Sequence, residues 1–300
     1  MRSPAEECAL LVALTDLLAG CEMTVTFNGR TFDLPLLRAR FRQNGCALPR
    51  TARHVPLLQT EQPHLDLLHP ARRLWRRRLE SCRLIHLEQA VLQMQRSGDD
   101  VPSHLIPTLY TEYARSGNAR AMPGIFYHNG EDILSMVGLA ERLYGIFGLT
   151  EEDERDTETE LHGLDWLALG CNYELLADWP RAERAFQRAL DMLTNRGRER
   201  RGRSDAFRRL GQLFKKQERW DEAVATWQLW LSSVQDVDPT PYVELAKYCE
   251  WQTGDLEQAA MWTGWALHNL RTAPHTTKAA SQIAELEHRL KRLERKRLTT

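Results

Sequence analysis

The chain has 300 residues, of which 42% are hydrophobic and 27% charged. This suits two domains of ordinary size with their own cores and excludes a disordered chain. A net charge of −1 says little about nucleic acid, so the distribution of charge has to be followed along the chain. No apolar run approaches the roughly 20 residues of a membrane span. The short apolar run 9–14 follows Glu6 and Glu7, not the basic region of a signal peptide. A cytoplasmic protein without membrane contact is expected. Six scattered cysteines (Cys8, Cys21, Cys46, Cys82, Cys171, Cys249) form no Cys-x-x-Cys pair, and are expected to be buried free thiols.

Leu10, Leu11, Leu14, Leu17 and Leu18 recur at helical spacing and predict a helix over 5–19. The β-branched run 22–27, bounded by Gly20 and Gly29, predicts a strand. Asp33 then precedes Pro35 and a helix through Leu36, Leu37 and Phe41 that stops near Gly45. Residues 64–68 form a second short apolar run, followed by a helix rich in arginine: Arg72, Arg73, Arg76, Arg77 and Arg78, with Trp75 among them. The order helix, strand, helix, strand, helix indicates an α/β layer with at least partly parallel pairing.

Asn28 and Asp33 fall at a strand end, where α/β proteins place ligand-binding groups. The alternative is a turn at Asn28–Gly29 with Asp33 capping the next helix. Further on, His128 and Asp132 are spaced i, i+4, which suits a base beside a metal-bound carboxylate, although such pairs also arise by chance on exposed helices. Arg72, Arg73, Arg76 and Arg77 are expected on one broad face that neutralises a phosphate backbone without reading sequence. Their alternative role is to cover apolar surface with their aliphatic stems.

After Thr150 the acidic run 151–158 has no apolar periodicity and predicts a linker. Beyond it Trp166, Leu169, Gly170, Tyr173, Ala182, Phe186 and Ala189 resemble the tetratricopeptide pattern. Phe207, Leu210, Gly211, Phe214, Ala223 and Trp227 repeat it. A third copy fits at Gly254, Ala259 and Ala266, but its first helix, around Tyr242, Leu245 and Tyr248, is off register by a residue. Residues 194–205, with Arg196, Arg198, Arg200, Arg201 and Arg203, are expected to be a solvated basic loop. The last helix, with Ile283, Leu286, Leu290 and Leu293, is expected to cap the array.

Taken with the block from His64 to Trp75, the two short motifs resemble the DEDD superfamily of 3′–5′ exonucleases, in particular its YprB-type branch, over roughly residues 5–145. The resemblance implies an α/β ribonuclease H-like domain over 1–148, an acidic linker over 149–162 and an all-α tetratricopeptide repeat domain over 163–300. In such enzymes four carboxylates hold two Mg²⁺ or Mn²⁺ ions, which activate water and stabilise charge on the scissile phosphate. Carried over by position, Asp33 and Asp132 are metal ligands and His128 is the general base. Asn28 shapes the Asp33 loop, and Asp66 takes a supporting or metal-proximal role. Tyr127 does not have the spacing of the tyrosine-based form.

The Asp-x-Glu strand that opens the pattern does not precede Ala5 in this sequence. Its absence implies two fewer ligands and a gap in the sheet, to be filled by a partner or a second copy if at all. The resemblance therefore implies a member of a nucleic-acid exonuclease family, inactive as written, whose repeats hold a protein or peptide. The alternatives are a noncatalytic tetratricopeptide adaptor and a nucleic-acid binder with a vestigial nuclease domain.

Overall fold

A computed structural model describes residues 3–47, 64–97, 100–150, 161–234, 237–272 and 277–299. The chain divides into two units, Met1–Leu149 and Thr150–Thr300. Most of the expected linker, residues 151–160, lies outside the described residues.

The first unit opens with α1 (Glu7–Ala19), β1 (Thr24–Thr26) and α2 (Asp33–Gln43), then β2 (His64–Asp66) and α3 (Leu68–Trp75). The strands pair in parallel, with Thr24 opposite His64, Val25 opposite Leu65 and Thr26 opposite Asp66. They form the one sheet among the described residues. α1 packs on α2 through Leu11, Leu34 and Phe41, with Leu14, Leu18 and Leu37 around them. An ion pair from Arg40 to Glu7 ties the same two helices. The apolar stripe expected on α1 is narrower than its sequence suggests: Leu10 and Leu17 are exposed.

α3 is amphipathic, burying Leu68, Ala71, Leu74 and Trp75. Its end at Trp75 corrects one expectation. Arg76, Arg77 and Arg78 lie in the turn that follows, and Trp75 is core packing, not an exposed ring between arginines. A short α4 (Leu84–Leu87) runs into a π-helical turn, Glu88–Leu92. Two further helices follow, α5 (Ile106–Ser116) and α6 (Met122–Phe147). Gly117 ends α5 in the left-handed conformation, and Pro123 sits in the first turn of α6, as helix stop and start signals should.

The second unit is a series of helical hairpins: α7 (Gly163–Leu175) with α8 (Trp179–Met192), α9 (Gly197–Lys216) with α10 (Trp220–Ser233), and α11 (Thr240–Tyr248) with α12 (Leu256–Thr272). α13 (Thr277–Thr299) lies along α12, with Leu286 against the cluster of Ala266, Leu267 and Leu270. Gly170 and Gly211 occupy matching places in the first two hairpins. A Cβ on Gly170 would stand 2.6 Å from the Phe186 ring, and one on Gly211 would run into Trp227. The small residue is thus what lets each helix touch its partner's aromatic ring.

Two expectations change here. Residues 194–205 are no loop: from Gly197 onward they are the first turns of α9, with Gly202 and Ser204 buried. Gly202 faces Leu164 so closely that a Cβ would collide with it, which a basic surface composition conceals. The register slip of the third hairpin has a physical form, a π-helical turn over Cys249–Thr253, which takes up one extra residue without breaking the helix. The thiols also differ from expectation. Cys249 is buried, Cys8 is exposed and the other four are half-buried.

Candidate functional site

β1 runs into a turn that the backbone of Asn28 makes at φ 67°, a conformation asparagine adopts more readily than most residues. Gly29 is needed beside it, because a Cβ there would stand 2.5 Å from the Thr26 side chain. The turn is held from beneath by Asp66. Its Oδ1 accepts the Asn28 N–H at 2.8 Å and the Leu68 N–H at 3.1 Å, and its Oδ2 accepts the Arg30 N–H at 3.0 Å. Asp66 is buried, and these three donors satisfy a carboxylate that would otherwise be costly to bury. The Asn28 side chain accepts from the Thr31 hydroxyl at 2.9 Å. Asp33 is the first residue of α2 and exposed; it is not the helix cap, a position Phe32 holds. Its charge therefore sits at the positive end of the helix.

His128 and Asp132 lie one turn apart on α6, on the stripe that continues through Ser135, Leu139, Leu143 and Ile146. That stripe turns both inward, where they meet residues the sequence did not single out. Arg96 donates from Nε to Glu88 Oε2 at 2.8 Å, and its Nη2 pairs with both Glu88 and Asp132, the latter at 2.5 Å. Asp100 lies 3.3 Å from Arg96 Nη1. Its other oxygen is 2.7 Å from His128 Nδ1, which also lies 3.0 Å from Arg96 Nη1, and His128 Nε2 is 3.2 Å from the Ser103 hydroxyl. Glu88 is 1% exposed, and its hydrogen bond is the first cause holding the Arg96 guanidinium far above its ordinary value. Arg96 and Asp100 lie in non-helical chain, so their spacing gave no helical-face signal, and Glu88 reaches Arg96 from a π-helical turn that no periodicity displays.

One cleft of about 1140 Å³ in the first unit collects several of these groups. Asn28, Asp33, Arg72, Arg76 and Asp132 line it, along with Arg83 and Ser103. Leu14, Leu18, Leu34 and Leu37 supply an apolar wall. Among the predicted residues, Asp66, His128, Arg73 and Arg77 are not in its lining. Asp66 lies under the loop, and His128 connects to the cleft through Ser103. The four arginines expected on one face thus divide: Arg72 and Arg76 enter the cleft, and Arg73 and Arg77 do not. Cys82 also lines it; burial pushes its thiol up, against the opposing fields of Arg72 and Arg76.

The described residues do not compose a divalent metal site, and no group of three His, Cys, Asp or Glu side chains among them is placed to hold an ion. The reasons lie in the hydrogen bonding. The Asp66 oxygens are taken by backbone N–H groups, and a guanidinium already stands on Asp132. No helix among the described residues is long and apolar enough to cross a membrane.

Comparison with known proteins adds three findings. In an alignment 279 residues long that covers 91% of the chain, it is 28% identical to "Uncharacterized protein YprB" of Bacillus subtilis (strain 168). It spans 60% of that relative's length. No solved structure matches it. Residues 1–144 match the model of a family described as the RNase_H superfamily. The first unit is therefore a ribonuclease H-like, nuclease-like domain.

Proposed function

We propose that the first unit binds the backbone of a nucleic-acid single strand in its cleft, as a relative of the DEDD 3′–5′ exonucleases, and that the helical hairpins are tetratricopeptide repeats that hold a protein or peptide. The observation that carries the first part is the meeting of Arg72 and Arg76 with Asn28, Asp33 and Asp132 in one cleft. The two arginines neutralise phosphates, and the leucines that also line the cleft offer apolar contact to bases. Asp33 and Asp132 are the positions toward which Mg²⁺ or Mn²⁺ would be drawn in an exonuclease relative. In this chain Asp66 serves by holding the Asn28 turn, and His128 by orienting Ser103. Because Arg96 already neutralises Asp132, the chain's own residues support binding and not hydrolysis. A cytoplasmic location accords with this reading. The matching glycine contacts of the first two hairpins support the repeat assignment.

Fluorescence anisotropy of a labelled single-stranded oligonucleotide tests it. Binding of the 300-residue chain weakens with salt, and R72A/R76A lowers affinity about tenfold and flattens the salt slope by about 1.4. R73A/R77A has the smaller effect. Equal losses in the two double variants would refute the cleft as the site. Nucleotide release in Mn²⁺ that disappears in Asp132→Ala would instead establish an active exonuclease.

A further inference from the structure

At the end of the α1–α2 pair remote from the cleft, two thiols meet. Cys8 lies in the first turn of α1, and Cys46 follows α2; their Sγ atoms are 3.6 Å apart although 38 residues separate them in the chain. A side-chain ion pair holds one and a main-chain turn the other. Glu7, adjacent to Cys8, is paired with Arg40 of α2. Gly45, at φ 67°, turns the chain back after α2 so that the Cys46 N–H donates to the Phe41 carbonyl at 2.9 Å. Cys46 then packs against the cluster of Leu11, Leu34 and Phe41. Cys8 is exposed and Cys46 half-buried, so solvent reaches one member of the pair more readily than the other.

We propose that Cys8 and Cys46 form an oxidisable dithiol, a modification site whose reagent is a hydroperoxide and whose product is an intramolecular disulfide. The exposed Cys8 thiolate attacks a peroxide oxygen and the O–O bond breaks. Cys8 becomes a sulfenic acid, and with hydrogen peroxide the leaving oxygen departs as water after taking a proton. The Cys46 thiolate then attacks the Cys8 sulfur, forming the S–S bond as the S–O bond breaks. The departing hydroxide takes a proton to give a second water. Two thiols and one peroxide give one disulfide and two waters. The order of attack follows from the surroundings: the hydrogen bond to Cys8 holds the Cys46 thiol above its ordinary value, and burial acts in the same direction. Cys8 is thus the thiol that peroxide meets first, and Cys46 the one that resolves it.

The bond would join α1 to the far end of α2. Leu14, Leu18, Leu34 and Leu37 of those helices form the apolar wall of the cleft, so the disulfide staples that wall from behind.

The test treats the full chain with hydrogen peroxide, blocks remaining thiols with iodoacetamide and maps peptides without reduction. The expected product joins the Cys8 and Cys46 peptides, is two hydrogens lighter than the pair, reverts with dithiothreitol and raises the melting temperature by about 5 °C. In Cys46→Ser the cross-link is lost and Cys8 carries a sulfenic acid that dimedone traps. In Cys8→Ser the cross-link is also lost. The proposal is overturned if a dose that oxidises Cys8 in the unaltered chain leaves it without Cys46 attached, joined to another cysteine, or joined to a second chain. None of these outcomes depends on whether the cleft binds nucleic acid.

Discussion

Arg96 stands 2.5 Å from Asp132 through Nη2 and 2.8 Å from Glu88 through Nε, so one guanidinium joins a cleft carboxylate to a buried one. Removing one member of a buried pair leaves the other uncompensated, which costs about 3–5 kcal/mol. Arg96→Gln should therefore lower the unfolding free energy of the first unit by about 3 kcal/mol in urea denaturation. The double variant R96Q/E88Q should recover part of the loss, because the orphaned charge goes too. A change below about 1 kcal/mol in the single variant would show that the cluster is not held in this way.

Asp66 is expected to act on the loop it supports. Asp66→Ala leaves three backbone N–H groups without their acceptor, at a cost of about 2 kcal/mol. Hydrogen exchange should quicken at Asn28, Arg30 and Leu68 before the rest of the unit. If exchange at these three amides is unchanged, the carboxylate is dispensable to the turn.

Gly211→Ala tests the closeness of α9 and α10. The added methyl must displace Trp227, a fully buried ring, and overpacking of this kind costs about 1–3 kcal/mol. Gly170→Ala should cost about the same against Phe186. Shortening the ring in the double variant G170A/F186L should restore part of the stability, and a failure to do so would point away from the ring contact.

Acid should loosen the last hairpin through Glu250. Burial works to raise the pKa of this carboxyl, but hydrogen bonds from Arg292 and Lys296 and the field of Arg289 outweigh it and hold it below 4.5. A carboxyl depressed in the folded state contributes stability that is complete above the ordinary value and is lost as pH falls through the depressed one. Thermal melts should therefore show an added loss of stability below about pH 4.5 that is missing in Glu250→Gln. That variant should itself cost about 3 kcal/mol at pH 7. Identical acid profiles for the two proteins would rule out this role.

Legibility differed between the two units for physical reasons. Strand β1, helix α2 and the parallel pairing follow from β-branched composition, the early proline of α2 and element order, all of them local signals. The hairpins follow from a repeated small-residue and aromatic pattern that each helix pair needs in order to touch. Buried glycine and serine within 197–205 were hidden by the arginines around them, since the helix exposes charge on one face and packs Gly202 on the other. Of the residues that line the cleft, Asn28 and Asp33 stood out in the sequence by their place at a strand end, and Asp132, Arg72 and Arg76 by helical spacing. Arg96, Glu88 and Ser103 escaped because their meeting depends on tertiary packing and on a turn with non-α spacing. For Asp66, expected in a supporting or metal-proximal place, the partners that define the support are backbone groups that no motif displays.

The π-helical turn at Cys249–Thr253 carries a consequence for how these helical hairpins can change over time. One extra residue in an α-helix rotates everything beyond it by about 100°, and here the turn that absorbs the residue also bears Glu250. From that position the carboxylate meets Arg289, Arg292 and Lys296 of α13. Deleting a residue to make the third hairpin match its neighbours would tidy the pattern and swing this latch away from α13. The irregularity is what fastens the final helix, so a more uniform sequence would make a less firmly closed end.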